Sequence, residues 1–178
     1  MDGLRTKERS EMNEIVLGIS GLPQERAKKC VQELFPIANG EFKKSINGNL
    51  LFVETSDRQK YRSVISCSDL FSPVIDKIWI GTQINVGCIQ NLWQVIYPGE
   101  TELNLIRPAV IDSINVIDRL GKEVQHLVSG NQVILKKPSD KKTFVSFRPW
   151  LTMMVTNFSM KTNEWAMECG WKLESEEI

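Results

Sequence analysis

The chain has 178 residues, 42% hydrophobic and 25% charged, with 22 Lys and Arg against 22 Asp and Glu. That length supports one self-sufficient core, and the zero net charge excludes a strong global pull toward nucleic acid while leaving local patches open. Cys30, Cys67, Cys88 and Cys169 stand far apart with no C-x-x-C pair; they read as reduced thiols of a cytosolic or nuclear protein, with no metal-ligand spacing and no signal peptide.

Residues 1–13 are polar and mixed in charge and read as a mobile arm. Residues 15–19 predict a short strand, and Gly21-Leu22-Pro23 a turn whose proline suits a first helical position. Over 24–35, Ala27, Cys30, Val31 and Leu34 recur at spacings of three and four. That spacing predicts an amphipathic helix, ended by Pro36. Residues 41–46 and 50–54 flank Asn47-Gly48, a hairpin signal. Residues 57–66 fit a helix or a strand equally.

The stretch between Lys77 and Glu100 carries no charge. A membrane span is excluded by its composition: Thr82, Gln83, Asn85, Gln90, Asn91 and Gln94 interrupt the run, and Gly81 and Gly87 weaken a helix. Ile78, Ile80, Thr82, Ile84, Val86 and Cys88 share one parity, the alternation of a strand with one buried face. Beyond Cys88 the parity slips, as a bulge near Gly87 or burial on both faces would cause.

Residues 102–117 are apolar and β-branched, broken by Pro108. Residues 126–129 and 132–136 predict a hairpin about Gly130-Asn131, and 143–147 and 150–156 two strands across Pro149. Residues 164–173 close the apolar series, and 174–178 read as an acidic tail. The expected class is mainly β: a single jelly-roll-like β-sandwich over 14–173 with one early amphipathic helix.

Catalytic signals are sparse. The one histidine, His126, has no neighbour that marks a nucleophile pair, and Gly18-Ile19-Ser20-Gly21 departs from a nucleophile elbow because its second glycine comes one residue early. No phosphate-binding glycine loop is present, so the expectation is a non-enzyme without cofactors. The one concentrated charge feature is the loop with Lys136, Lys137, Lys141 and Lys142, followed by Arg148. It fits phosphate contacts, and equally a solvated turn. Phe144, Phe147 and Trp150 nearby are candidates for base stacking or for the core.

Val86-Gly87-Cys88-Ile89-Gln90, followed by Val95-Ile96-Tyr97-Pro98, resembles a segment of the thirty-kilodalton superfamily of plant-virus movement proteins. Val110-Ile111-Asp112 stands where that family carries its aspartate, and Gly170 where it carries a later glycine. Residues 144–153 look like its aromatic-proline strand pair and 169–173 like its closing strand, so the likeness covers about residues 75–173. Valine replaces the family's usual leucine at 110, and Arg119 lies further from Asp112 than its arginine does. The resemblance implies a jelly roll with an early helix. It implies sequence-independent binding of single-stranded nucleic acid or nucleocapsid, and transport of the viral genome between plant cells through plasmodesmata. Host plasmodesmal or membrane-associated proteins would be partners, with self-association allowed and no integral membrane span. The location implied is the host cytoplasm and cell junctions. Gly87, Gln90, Asp112 and Gly170 would be the motif residues. Asp112 can also serve simply as a turn residue.

Two other readings fit parts of the chain. Residues 14–66 parse as the start of an RNA-recognition motif with 50–54 as central strand, although that strand lacks the exposed aromatic pair. A viral matrix-type scaffold is the other, without a basic membrane helix to support it.

Overall fold

The uncharged stretch divides between two sheets. A computed structural model of the chain describes residues 18–19, 30–54, 59–69, 78–163 and 168–178. Among these, all regular structure is strand. Six strands form one sheet: β1 (Gly18–Ile19), β2 (Cys30–Ile37), β5 (Lys60–Asp69), β6 (Gln83–Gly87), β13 (Trp150–Asn163) and β14 (Glu168–Glu177), in the order β1-β6-β13-β14-β5-β2. Leu92–Ile96 (β7), Thr143–Phe147 (β12) and Asn115–Ile117 (β9) form a second sheet with β12 central. Glu102–Asn104 (β8), Gln132–Leu135 (β11) and His126–Ser129 (β10) form a third with β11 central. Gly40–Lys44 (β3) and Leu50–Glu54 (β4) pair only with each other.

The parity slip past Cys88 is therefore a change of sheet. The chain leaves the six-stranded sheet at Gly87 and enters the second sheet at Leu92, so the buried face is reset between them. The register break of the large sheet lies elsewhere, between Val155 and Asn157 of β13.

The six-stranded sheet is curled and closes on its own apolar face. Ile19, Ile65, Ile84, Val86, Leu151, Met153, Val155 and Leu173 all point inward and are buried, together with Cys67, Cys88 and Trp171. Each buried aliphatic side chain of this kind contributes about 1.5–3 kcal/mol. Gln32 of β2 closes the curl. Its Oε1 accepts the Ile89 N–H (2.8 Å), and its Nε2 donates to Ser63 Oγ (3.1 Å) and Cys88 Sγ (3.4 Å). Gln90 Nε2 donates to the Gln32 carbonyl (3.1 Å). An outermost strand is thereby fastened to the chain just after the strand next to the opposite edge.

The two three-stranded sheets share a second core of Ile96, Leu105, Val116, Val133, Leu135, Val145 and Phe147. Arg107 ties this body to the large sheet. Its Nε and Nη2 donate to the two carboxylate oxygens of Glu177 (2.7 and 3.0 Å), and its guanidinium lies 5.0 Å from the centre of the Tyr61 ring.

Several expectations change. No helix covers 30–35: those residues belong to β2, and residues 24–29 of the expected helix lie outside the described residues. Inward-facing Cys30, Gln32 and Leu34 alternate with Val31, Glu33 and Phe35, and the polar Gln32 hides that period. Pro36 sits within the same strand, at the sheet edge where a missing N–H costs nothing. The acidic tail is the end of β14: Ser175 is fully buried between outward Glu174 and Glu176. Cys30 and Cys67 face each other across β2 and β5 with Cα atoms 4.2 Å apart and form a disulfide, so the reduced-thiol expectation holds only for Cys88 and Cys169. The order expected for an RNA-recognition motif fails, because β4 pairs with β3 alone and residues 60–66 are strand. The arm 1–13, residues 15–17 of the first strand and the turn 21–23 lie outside the described residues. No helix among the described residues is long and apolar enough to cross a membrane.

The two expected hairpins are present. In β10–β11, Ser129 pairs with Gln132 around Gly130-Asn131, and only Gly130 has positive φ (60°). Glycine at the first central position suits a type II′ turn. In β3–β4 the loop is longer. The Gly48 N–H bonds the Ser45 carbonyl (2.9 Å), and Gly48 takes φ 80° after the turn.

Candidate nucleic-acid interface

The lysine loop lies between β11 and β12, at the end of the second sheet where Thr143 pairs with Ile96. Two further turns leave the same end. Residues 97–100 follow β7, with Gly99 at φ 86° and the Glu100 N–H on the Tyr97 carbonyl (3.0 Å). Residues 118–122 follow β9, whose Ile117 pairs with Phe144. The Gly99 N–H donates to the Ser139 carbonyl (3.1 Å) and joins the first turn to the lysine loop. Ser139 Oγ donates to the Lys141 carbonyl (2.8 Å), which shapes the loop tip.

Lys136, Lys137, Lys141 and Lys142 are all exposed on this loop. With Arg119 and Lys122 they put six cations at one sheet end, against Glu100, Asp118, Glu123 and Asp140. Two of those carboxylates are engaged by backbone: Glu100 Oε2 accepts the Tyr97 N–H (3.0 Å), and Asp118 Oδ1 the N–H groups of Leu120 (2.7 Å) and Lys122 (2.9 Å). The balance is positive and local.

The outer face of the second sheet adjoins the loop. Val145 and Phe147 point into the core, so Phe144 and Ser146 lie on the other face, opposite Val95 and Trp93 of β7; Phe144 is half-buried and Ser146 is covered there. Trp93 is 56% exposed and Tyr97 55%. Lys142 Nζ stands 5.5 Å from the Tyr97 ring centre, a cation over an aromatic face. Trp93 and Tyr97 are four residues apart, roughly 13 Å along an extended strand. A single strand of a few nucleotides fits that span, with bases on the rings and phosphates toward the lysines.

Other candidates fall outside this surface. Arg148 follows the far end of β12, five residues and roughly 17 Å from Thr143. Phe147 is fully buried and cannot stack on a base. Trp150 lies over two glycines: it pairs with Gly87, Gly87 pairs with Gly18, and a Cβ on either would stand 3.0 or 2.9 Å from the indole. Trp93 and Tyr97 escaped the sequence reading because the stretch that holds them reads as wholly buried. Their common parity with Val95 was the available signal.

The four motif residues do not converge on one site. Gly87 lies under the Trp150 ring, where a Cβ would push against the indole, and Gln90 fastens the β2 seam. Asp112 is exposed in a turn with φ 58°, where Ser113 N–H bonds the Val110 carbonyl (3.2 Å). Asp tolerates that left-handed conformation better than most residues. The turn is held to the β12–β13 junction by Val110 N–H on the Arg148 carbonyl (2.8 Å) and by Arg148 N–H on Ser113 Oγ (3.2 Å). Gly170 pairs with Lys161, eleven residues along β13 from Trp150, roughly 35 Å away. A Cβ there would meet only ordinary contacts.

Burial pushes the Cys88 thiol up to about 11, with the Gln32 hydrogen bond opposing. Hydrogen bonds from Lys172 and then Arg62 hold Glu174 down at about 2. His126 Nδ1 lies 2.9 Å from the Val124 carbonyl. Among the described residues no three His, Cys, Asp or Glu side chains converge as metal ligands would. In comparisons with known proteins, no protein-family model matches the chain and no curated protein matches it in sequence.

Proposed function

We propose that this protein binds single-stranded nucleic acid without sequence preference. Lys136, Lys137, Lys141 and Lys142 contact phosphates, and Trp93 and Tyr97 stack on bases. The observation that carries the reading is the lysine loop at the rim of an exposed aromatic sheet face, with Lys142 over Tyr97. The likeness to plant-virus movement proteins supplies the setting: a non-enzymatic carrier of a viral genome through plasmodesmata, on a jelly-roll-like frame. Motif order supports that setting, and two of its residues, Gly87 and Gln90, serve the fold.

The test is fluorescence anisotropy with labelled mixed-sequence oligonucleotides over a salt series. Replacing the four lysines by Ser should reduce the slope of log K against log salt by about 3, at about 0.7 per neutralised phosphate. Trp93→Ala should weaken binding at every salt concentration with the slope unchanged, by about 1–3 kcal/mol. Binding equal to wild type in both variants refutes the proposal. A fluorescent fusion that fails to gather at plant cell junctions refutes the transport setting alone.

A further inference from the structure

Among the described residues the β3–β4 hairpin is paired with nothing else, and nine of its ten strand residues are exposed. Its surface is nevertheless apolar. Phe42, Leu50, Leu51, Phe52 and Val53 are 67, 64, 50, 39 and 45% exposed, and the Phe42 and Phe52 rings pack at a tilt of 50° with centres 4.9 Å apart. A two-stranded hairpin is marginal in water, and a five-residue edge strand with four apolar residues in a row and no proline invites a further strand.

We infer that β4 pairs with β4 of a second copy, antiparallel and centred on Phe52, to give a four-stranded sheet across a two-fold axis. This antiparallel register pairs all five β4 residues. It sets Phe52 opposite itself, Leu50 opposite Glu54 and Leu51 opposite Val53. Because Lys44 pairs with Leu50 and Phe42 with Phe52 within each copy, one face carries four phenylalanines in a row. That row is flanked on each side by Lys44, Leu50 and the second copy's Glu54. Lys44 and that carboxylate stand two strand spacings apart, roughly 9.6 Å, within reach of their extended side chains. The other face runs Lys43, Leu51, Val53 and Glu41, with apolar pairs in the middle and opposite charges at the ends. No like charges meet in either row. The complementarity is to the hairpin itself, which selects a second copy over an unrelated partner. The interface is small, so the dissociation constant should be on the order of 10 µM or weaker. This inference goes beyond nucleic-acid binding and does not depend on it.

Sedimentation velocity on the full chain, from about 1 to 500 µM without nucleic acid, should show a concentration-dependent monomer–dimer shift. Phe52→Glu places two carboxylates on the axis and should weaken association at least tenfold, with the circular-dichroism spectrum unchanged because Phe52 belongs to neither core. Register is read by cysteine replacement under mild oxidation. Phe52→Cys should cross-link into dimers well above the wild-type background from Cys88 and Cys169, and Leu50→Cys should not. Monomer throughout the range, dimer unaffected by Phe52→Glu, or preferential cross-linking through position 50 would each overturn the inference. So would monomer that sediments with phosphatidylcholine vesicles in a Phe52-dependent way, which would assign the hairpin to membrane.

Discussion

Replacing Gln32 by leucine tests whether one side chain holds the curled sheet shut. The substitution keeps volume and removes every polar atom. Three side-chain hydrogen bonds are lost, to the Ile89 N–H, to Ser63 Oγ and to Cys88 Sγ. Gln32 is 2% exposed and Ser63 and Cys88 are fully buried, so water replaces these partners poorly. At about 1 kcal/mol per bond, less for the sulfur and more for a stranded buried hydroxyl, the loss is about 3 kcal/mol. For a chain of this size that lowers Tm by about 6–12 °C. Gln90→Ala removes one half-buried bond to the Gln32 carbonyl and should cost about 1 kcal/mol. Urea denaturation gives both values. Amide exchange locates the effect: the Ile89 N–H should exchange faster in the leucine variant while the Val145 N–H in the second core does not. A Gln32→Leu protein within 0.5 kcal/mol of wild type, with Ile89 equally protected, would refute the latch.

Asp112→Gly should keep stability within about 0.5 kcal/mol, because glycine takes φ 58° freely, whereas Asp112→Val should lose about 1–2 kcal/mol. Equal losses in the two variants would remove the turn argument. Stability should also fall at both ends of the pH scale. The Cys88 thiol has its folded value raised from 9.0 to about 11 by burial, so above pH 9 the unfolded chain sheds a proton that the folded one keeps, and stability drops between pH 9 and 11. Glu174 is depressed from 4.5 to about 2, so its contribution is present above pH 4.5 and is lost as pH falls toward 2. Denaturation midpoints flat across either window would contradict the corresponding assignment.

Strands whose alternation is written in apolar residues were legible. Thr143–Phe147 and the hairpin about Gly130-Asn131 follow directly from sequence, as does the buried parity of Ile84, Val86 and Cys88. Failures occur where a polar residue occupies an inward position. Gln32 interrupts β2, and what remains, Cys30 and Leu34 four apart, mimics a helix face. Ser175 does the same in β14, where its glutamate neighbours resemble a solvated tail. Register between distant segments leaves no local trace, so the meeting of Cys30 with Cys67 could not be read from spacing. At the candidate site the lysine loop was legible from charge, but Arg148 is carried away by the length of β12. The exposure of Trp93 depends on which sheet the chain enters after the crossing at residues 88–91.

β14 stands inside the large sheet, between β13 and β5, and β2 joins only through β5. During synthesis the β2–β5 pair must therefore wait, its inner face bare, until β14 has left the ribosome. Folding of that half is slow in character, because its contacts span more than a hundred residues, as Arg62 with Glu176 does. A premature stop near residue 168 would release a chain whose smaller body can form while β5 and β2 have no place to dock. Such truncations should be degraded or aggregate rather than persist as partial proteins. β14, whose glutamates resemble a solvated tail, is the piece that licenses the whole sheet.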